Sequence, residues 1–290
     1  MSSGGKNPDV FPCGCEGIVI AGTTEGRRVI EALLGRGWTL TVCVATALGR
    51  EVLKDVGHPG NVRILSGRRD ADDFERLFTS CRPSFVVDAS HPFAQIVSKN
   101  VREAAQRANV PYIRFARQSS PAETNGCIYV PDAAAAAAVL DRTEGNILLT
   151  TGANTAAVYV RGVHGFLRRG YIRVLDTPAS VQACLDAGIP GAHIIAGCPP
   201  FRAADNLHLI RTFKIETLVT KDSGSTGGLR EKLDSAAQAG IQTVIIQRPK
   251  EPEGVPVTEN VPGLLAWLDA LPSGRRTEVQ NSESIKQAPD

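Results

Sequence analysis

The stretch GIVIAGTTEGRRVIEALLGRG, residues 17–37, decides how the rest of the chain is read. Residues 17–22 form a short, unbroken apolar run of the kind that makes a strand buried on both faces. Val29, Ile30, Leu33 and Leu34 then recur at helical spacing, with Gly35 or Gly37 past the end of the pattern. A buried strand that passes through a glycine-bearing loop straight into a helix is the first half of a βαβ unit.

The alternation continues outward. TLTVCVAT (39–46), VRILSG (62–67), SFVVDAS (84–90) and PYIRFAR (111–117) read as strands, and DADDFERLFTSC (70–81) and AQIVSKNVREAAQRAN (94–109) as helices. Asp72 and Asp73 sit in a first helical turn, where acids complement the macrodipole. After the polar junction QSSPAETNG (118–126) the pattern restarts. CIYV, NILLTTG, IRVLD, HIIAG, TLVTKDSG and QTVIIQRP are its strands; VQACLDAG, ADNLHLIRTF and GLREKLDSAAQAG are its helices. The alanine run 133–138 joins the helices, with Asp132 as N-cap. Right-handed βαβ repetition predicts α/β architecture with mostly parallel sheets. Two domains are expected, 17–118 and 125–272, with flexible tails at 1–16 and 273–290.

Bulk properties narrow the function. The 290 residues are 42% hydrophobic and 21% charged, ordinary for a soluble globular protein. A formal net charge of +2 without a Lys/Arg-rich block argues against a nucleic-acid partner. No apolar run approaches the roughly 18 residues of a membrane span, and the N-terminus lacks the apolar core of a signal peptide. Seven cysteines, at 13, 15, 43, 81, 127, 184 and 198, are odd in number and lack framework spacing, which suits reduced thiols in a cytoplasmic protein. Cys13-Gly14-Cys15 is half a metal site with no second cluster, and the five histidines lack metal spacing, so no metal is expected. Neither a G-x-S-x-G elbow nor a G-x-x-x-x-G-K-[ST] loop occurs.

Three stretches carry chemistry. In VIAGTTEGRRV the residues Gly22, Thr23, Thr24 and Glu25 lie between strand and helix, where unpaired N–H groups and the positive end of the helix dipole seat a phosphate. The loop is not G-x-G-x-x-G. In CVATALGRE the acid that holds the ribose of NAD(H) is missing, and Thr46 with Arg50 suits the 2′-phosphate of NADP(H). FVVDASHPFAQ (85–95) sets Asp88, Ser90 and His91 at the end of an apolar strand. One reading is punctuation, with Ser90 or His91 capping a helix whose first turn holds Pro92. The other is a ligand site beyond the carboxyl end of a strand.

VIAGTTEGRRV, ILSGRRDADDF, VVDASHPFAQIVSKNVREAA, PYIRFAR, LLTTG, FRAADNLHLI and LVTKDSGSTGGLREKLDSA together resemble the precorrin-6A reductase family of cobalamin biosynthesis, collinearly over roughly residues 17–250. Asp-x-x-His-Pro-Phe-Ala and Thr-Lys-x-Ser-Gly are the most distinctive of its motifs. The chain departs from the family in reading Pro199-Pro200-Phe201 where Gly-Pro-Phe is common. It also reads Gly-Thr-Thr-Glu-Gly where Gly-Gly-Thr-Ser/Thr-Glu-Ala is commoner.

The resemblance implies two Rossmann-like parallel-sheet domains flanking a cofactor/substrate cleft. It implies NADPH-dependent reduction of precorrin-6A, or its cobalt form, to precorrin-6B by hydride transfer, with no flavin and no protein-bound metal. The cofactor contacts are then Gly22, Thr23, Thr24, Glu25, Thr46, Arg50, Gly67, Arg68, Ser90 and His91. An anionic tetrapyrrole would meet Asp88, Arg114, Arg117, Arg173, Lys221, Ser223 and Gly224, with Arg248 nearby; His91 and Lys221 are the candidates for a catalytic role. Neighbouring enzymes of the pathway are candidate partners, and the state expected is a monomer or small homo-oligomer. The rival from another class is a non-catalytic tetrapyrrole- or nucleotide-binding carrier on the same fold.

Overall fold

The computed structural model describes residues 16–51, 53–56, 60–117, 126–224 and 227–272. Cys13, Cys15, His58, residues 1–15 and 273–290 of the expected tails, and residues 118–125 of the expected junction lie outside them. Two compact units emerge: one holds the described residues up to Ala116 and those from Pro252 onward, and the other runs from Arg117 to Glu251.

The first unit starts with β1 (Gly17–Ile20), α1 (Thr24–Gly35), β2 (Leu40–Val44), α2 (Ala47–Glu51) and β3 (Val62–Ser66), then α3 (Ala71–Cys81), β4 (Phe85–Asp88), α4 (Gln95–Arg107) and β5 (Tyr112–Phe115). Its central strands β1, β2 and β4 are buried along their whole length because both sheet faces are covered there. Val19, Val42 and Val87 face α1, while Ile18, Cys43 and Val86 pack against Phe74, Phe78 and Val101 of α3 and α4. Asp70 begins α3 with a reciprocal capping box to Asp73.

In the second unit come β6 (Cys127–Val130), α5 (Ala133–Leu140), β7 (Asn146–Leu149), α6 (Ala156–Gly162), α7 (Phe166–Arg169) and β8 (Gly170–Leu175). There follow α8 (Pro178–Asp186), β9 (Ile194–Gly197), α9 (Ala203–Thr212), β10 (Ile215–Lys221), α10 (Leu229–Ala239) and β11 (Gln242–Ile246). Asp132 caps the alanine helix α5 through the Ala135 N–H, 2.8 Å.

The chain then returns to the first unit with β12 (Val257–Thr258) and α11 (Val261–Asp269). Val257 and Thr258 pair with Arg114 and Phe115, and Leu264 and Leu268 enter the core that holds Val19 and Ile30. The expected second domain, 125–272, therefore ends at Glu251. A final strand and helix carry no local mark of the sheet they join.

Both sheets are six-stranded and parallel, in the orders β3-β2-β1-β4-β5-β12 and β9-β8-β7-β10-β11-β6. Each follows the 3-2-1-4-5-6 order of dinucleotide-binding folds. The sixth place is filled from outside the consecutive run, by β12 in one sheet and β6 in the other. Strand order reverses at β1/β4 and at β7/β10, and ligands of such sheets bind beyond the carboxyl ends of the strands at these points.

Candidate functional site

At the carboxyl edge of the first sheet the loops after β1 and β2 meet. Gly22 leaves β1 with φ at +121°, backbone that glycine alone enters without strain, and a Cβ there would meet nothing within 4 Å. Thr23 caps α1: its Oγ1 accepts from the Gly26 N–H at 3.0 Å and donates to the Ala89 carbonyl at 3.0 Å. The second bond ties the start of α1 to the end of β4, across the switch point. A Cβ on Gly26 would fall 2.9 Å from Ala21 Cβ, so this glycine lets α1 lie close on the end of β1.

Thr46 Oγ1 accepts from the Gly49 N–H, 3.1 Å, at the start of α2, and a Cβ on Gly49 would sit 3.4 Å from Gly22 Cα. Gly67 follows β3 with φ at +118° and donates to the Val44 carbonyl, 2.9 Å. Thr24, Arg50 and Arg68 are exposed, whereas the Glu25 side chain is buried. Ala45 and Thr46, not an acid, follow β2. These residues fit a dinucleotide phosphate: a twelve-residue helix N-terminus, open glycine loops and two exposed guanidinium groups. Of Glu25, only the backbone N–H suits that role.

Beyond β4 the structure corrects one expectation. The α4 helix starts at Gln95 behind Ala94, which makes no side-chain cap, so neither Ser90 nor His91 caps it and Pro92 lies outside it. Residues 91–94 form a turn closed by the Ala94 N–H on the His91 carbonyl, 2.8 Å. The His91 ring belongs to that turn, with Nδ1 accepting from the Phe93 N–H at 3.2 Å. A neutral His91 then carries its proton on Nε2.

Asp88 and Arg114 are the two residues expected against the substrate from the β4 and β5 strand ends. They face each other in the β4–β5 register and form a fully buried ion pair, 2.9 Å. Asp88 also accepts from the Ser90 N–H (2.9 Å) and the Tyr112 hydroxyl (3.1 Å), and Arg114 donates to Ser90 Oγ (3.1 Å). Their charges are spent on each other and on Ser90. Through Ser90 the pair is tied to the loop that follows β4.

In the second unit Lys221 ends β10 and donates to the Thr151 carbonyl beyond β7, 2.7 Å, across the other switch point. Burial lowers its pKa. Ser223 Oγ donates to the Gly227 carbonyl at 3.0 Å; the Arg117 guanidinium donates to the Ser223 carbonyl, and that of Arg248 to the Arg117 carbonyl. Gly224, with φ at +73°, leaves no room for a side chain: a Cβ would be 2.7 Å from Arg117 Cδ. Arg117, Ser223, Gly224 and Arg248 thus form one cluster. Arg173 lies apart from that hydrogen-bonded cluster, buried on β8, with its guanidinium 3.9 Å above the Phe201 ring and donating to Asn206 Oδ1 at 2.5 Å. Burial brings its pKa down to about 10.

Sequence reasoning misses Asn206 and Lys232, both buried. A signal exists for Lys232: it falls between Leu229 and Ala236 on the helix face that the apolar pattern assigns to the core. Among the described residues no group of three or more His, Cys, Asp or Glu side chains is placed to hold a metal, and no helix is long and apolar enough to cross a membrane.

Residues 18–269 match the model of a family described as Precorrin-6x reductase CbiJ/CobK. The chain is 32% identical over 253 residues to a cobalt-precorrin-6A reductase of Methanothermobacter thermautotrophicus, covering 86% of this chain and 82% of that one. It is 30% identical over 257 residues to a precorrin-6A reductase of Mycobacterium tuberculosis, covering 88% and 98%. A solved structure titled CobK precorrin-6A reductase shares the fold with a TM-score of 0.67 at 24% identity, covering 88% and 97%.

Proposed function

The chain belongs to the precorrin-6x reductase CbiJ/CobK family, and from that premise we propose that it reduces precorrin-6A, or its cobalt form, in cobalamin biosynthesis, with NADPH preferred to NADH. The observation that carries the cofactor reading is the β1/β4 switch point of the first unit. There open glycine loops and a capped helix N-terminus meet Arg50 and Arg68, and no carboxylate follows β2. An acid after β2 would repel a 2′-phosphate; Thr46 and Arg50 in its place attract one.

Bound there, NADPH supplies a hydride equivalent from its nicotinamide ring. The residues divide the remaining work. Gly22 and the N–H groups of Thr24 and Glu25 seat the pyrophosphate, while Thr23 and Gly26 hold the helix that presents them. Thr46, Arg50, Gly67 and Arg68 surround the adenosine 2′-phosphate. Ser90, kept in place by Asp88 and Arg114, and His91, kept in its turn by the Phe93 N–H, orient the reacting end, where His91 offers an N–H from Nε2. In the second unit Lys221, Arg117 and Ser223 at the strand ends receive the carboxylates of the macrocycle. A pH–rate profile left unchanged by His91→Ala limits His91 to orientation, without proton transfer.

The test is anaerobic. Purified protein receives precorrin-6A, then its cobalt form, each with NADPH or NADH. Loss of nicotinamide absorbance with a shifted macrocycle spectrum, faster with NADPH, is the expected result. Tight macrocycle binding without oxidation of either nucleotide overturns it and leaves the carrier.

A further inference from the structure

In the second unit two cations are buried without a carboxylate partner. Arg173 on β8 is 5% exposed, and Lys232 in the first turns of α10 is 8% exposed. Arg173 hydrogen-bonds Asn206 and lies on Phe201; Lys232 donates to the Gly227 carbonyl, 3.2 Å. Among the described residues neither has an ion-pair partner. Asp205 and Glu231 act on them only at longer range, each favouring the charged form.

The groups that contact the two cations are uncharged, and Glu231, next to Lys232 in sequence, has a buried Oε2 with no hydrogen-bond partner. Asn206 and Lys232 are the fourth residues of α9 and α10, so the positive ends of two helix dipoles lie with the two cations. Asn206 is 1% exposed, and its Nδ2 is a buried donor with no partner. Lys232 feels the crowding: burial first, then the Arg173 guanidinium, brings its pKa down to about 8. Unpaired buried cations and an orphan donor are costly in a folded protein and persist where a ligand repays them.

We propose that Arg173, Lys232 and Asn206 form an anion site that takes one side-chain carboxylate of the tetrapyrrole, an assignment that rests on the substrate proposed above. The Phe201 ring fixes the guanidinium plane, Lys232 supplies the second charge and Asn206 Nδ2 the directional donor. A nucleotide phosphate is the other source of such an oxyanion, but the first unit already has its own cations for that group, Arg50 and Arg68.

Lys232→Met and Asn206→Leu, both close in shape to the native residue, test the site in the full-length protein. Equilibrium binding of precorrin-6A without nucleotide, binding of NADPH alone, and thermal stabilisation by inorganic phosphate are measured for each. Macrocycle affinity is expected to fall about tenfold or more in both variants, with NADPH affinity unchanged. Unchanged macrocycle binding in folded variants overturns the site, and an equal loss of NADPH binding overturns the carboxylate assignment. If the wild-type protein binds no macrocycle, the substrate reading fails by itself. The phosphate titration then decides the site alone: saturable stabilisation lost in Lys232→Met supports it, and its absence from the wild-type protein overturns it.

Discussion

Asp88 and Arg114 stand opposite each other on β4 and β5, and their side chains close a 2.9 Å ion pair with no exposure to solvent. The pair also holds the Ser90 N–H and hydroxyl, so the end of β4 keeps its shape through charges that never reach the surface. Removing one partner leaves the other charged and buried. Asp88→Ala or Arg114→Met is expected to cost about 3–5 kcal/mol in urea unfolding. The double variant should cost clearly less than the sum, because no lone charge remains. Additive losses in that cycle would show that the pair is not coupled.

The departure of the first loop from the commoner family pattern has a spatial cause. One methyl group fits between the end of β1 and the first turn of α1, and here it belongs to Ala21. A Cβ on Gly26 would lie 2.9 Å from Ala21 Cβ and 3.1 Å from Ala21 Cα. Gly26→Ala is expected to destabilise by about 1–3 kcal/mol and to weaken NADPH binding, since it pushes away the helix that presents the phosphate N–H groups. Adding Ala21→Gly should restore most of both. Thermal melts and a nucleotide titration on the three variants decide it. A Gly26→Ala protein as stable as the wild type would show that the helix has room to move.

These two sites show what a sequence can and cannot disclose. The parallel α/β class is legible because strands such as GIVI are apolar on both faces and a helix start such as Asp132 announces itself. The Gly22 loop and the missing acid after β2 are local, and local order survives in the text. Asp88 and Arg114 are 26 residues apart, and only strand register brings them face to face. The same holds for β12, whose two residues could join either sheet until Leu264 and Leu268 are seen in the first core. His91 reads as a cap because it stands before a proline, yet its ring serves its own turn through the Phe93 N–H.

Arg50 is exposed on α2, close to the loop where Gly49 and Gly22 adjoin. If it pairs with the 2′-phosphate, Arg50→Ala should weaken NADPH and leave NADH unaffected. Loss of one charge-assisted contact corresponds to roughly a tenfold drop in the NADPH/NADH ratio of kcat/KM. Steady-state kinetics with both nucleotides measure it, and an equal fall for both would move Arg50 away from the 2′-phosphate.

Lys232 makes the stability of the fold depend on alkaline pH in an unusual direction. Its pKa is about 8 in the folded protein against 10.5 for an ordinary lysine. Below pH 8 both folded and unfolded chains carry the proton, and the folded chain bears the cost of a buried charge. Between the two values the unfolded chain keeps the proton that the folded chain has released, so stability rises with pH. Between pH 7 and 9.5 the gain from this one group amounts to about 2 kcal/mol. Lys232→Met removes the group, so its stability at neutral pH should be equal to or higher than that of the wild type. The difference between the two proteins isolates Lys232 from every other titrating side chain. Urea unfolding across that range should show the wild type gaining on the variant as pH rises. A difference that stays flat would mean that Lys232 keeps an ordinary pKa, and that Arg173 and burial do not press on it.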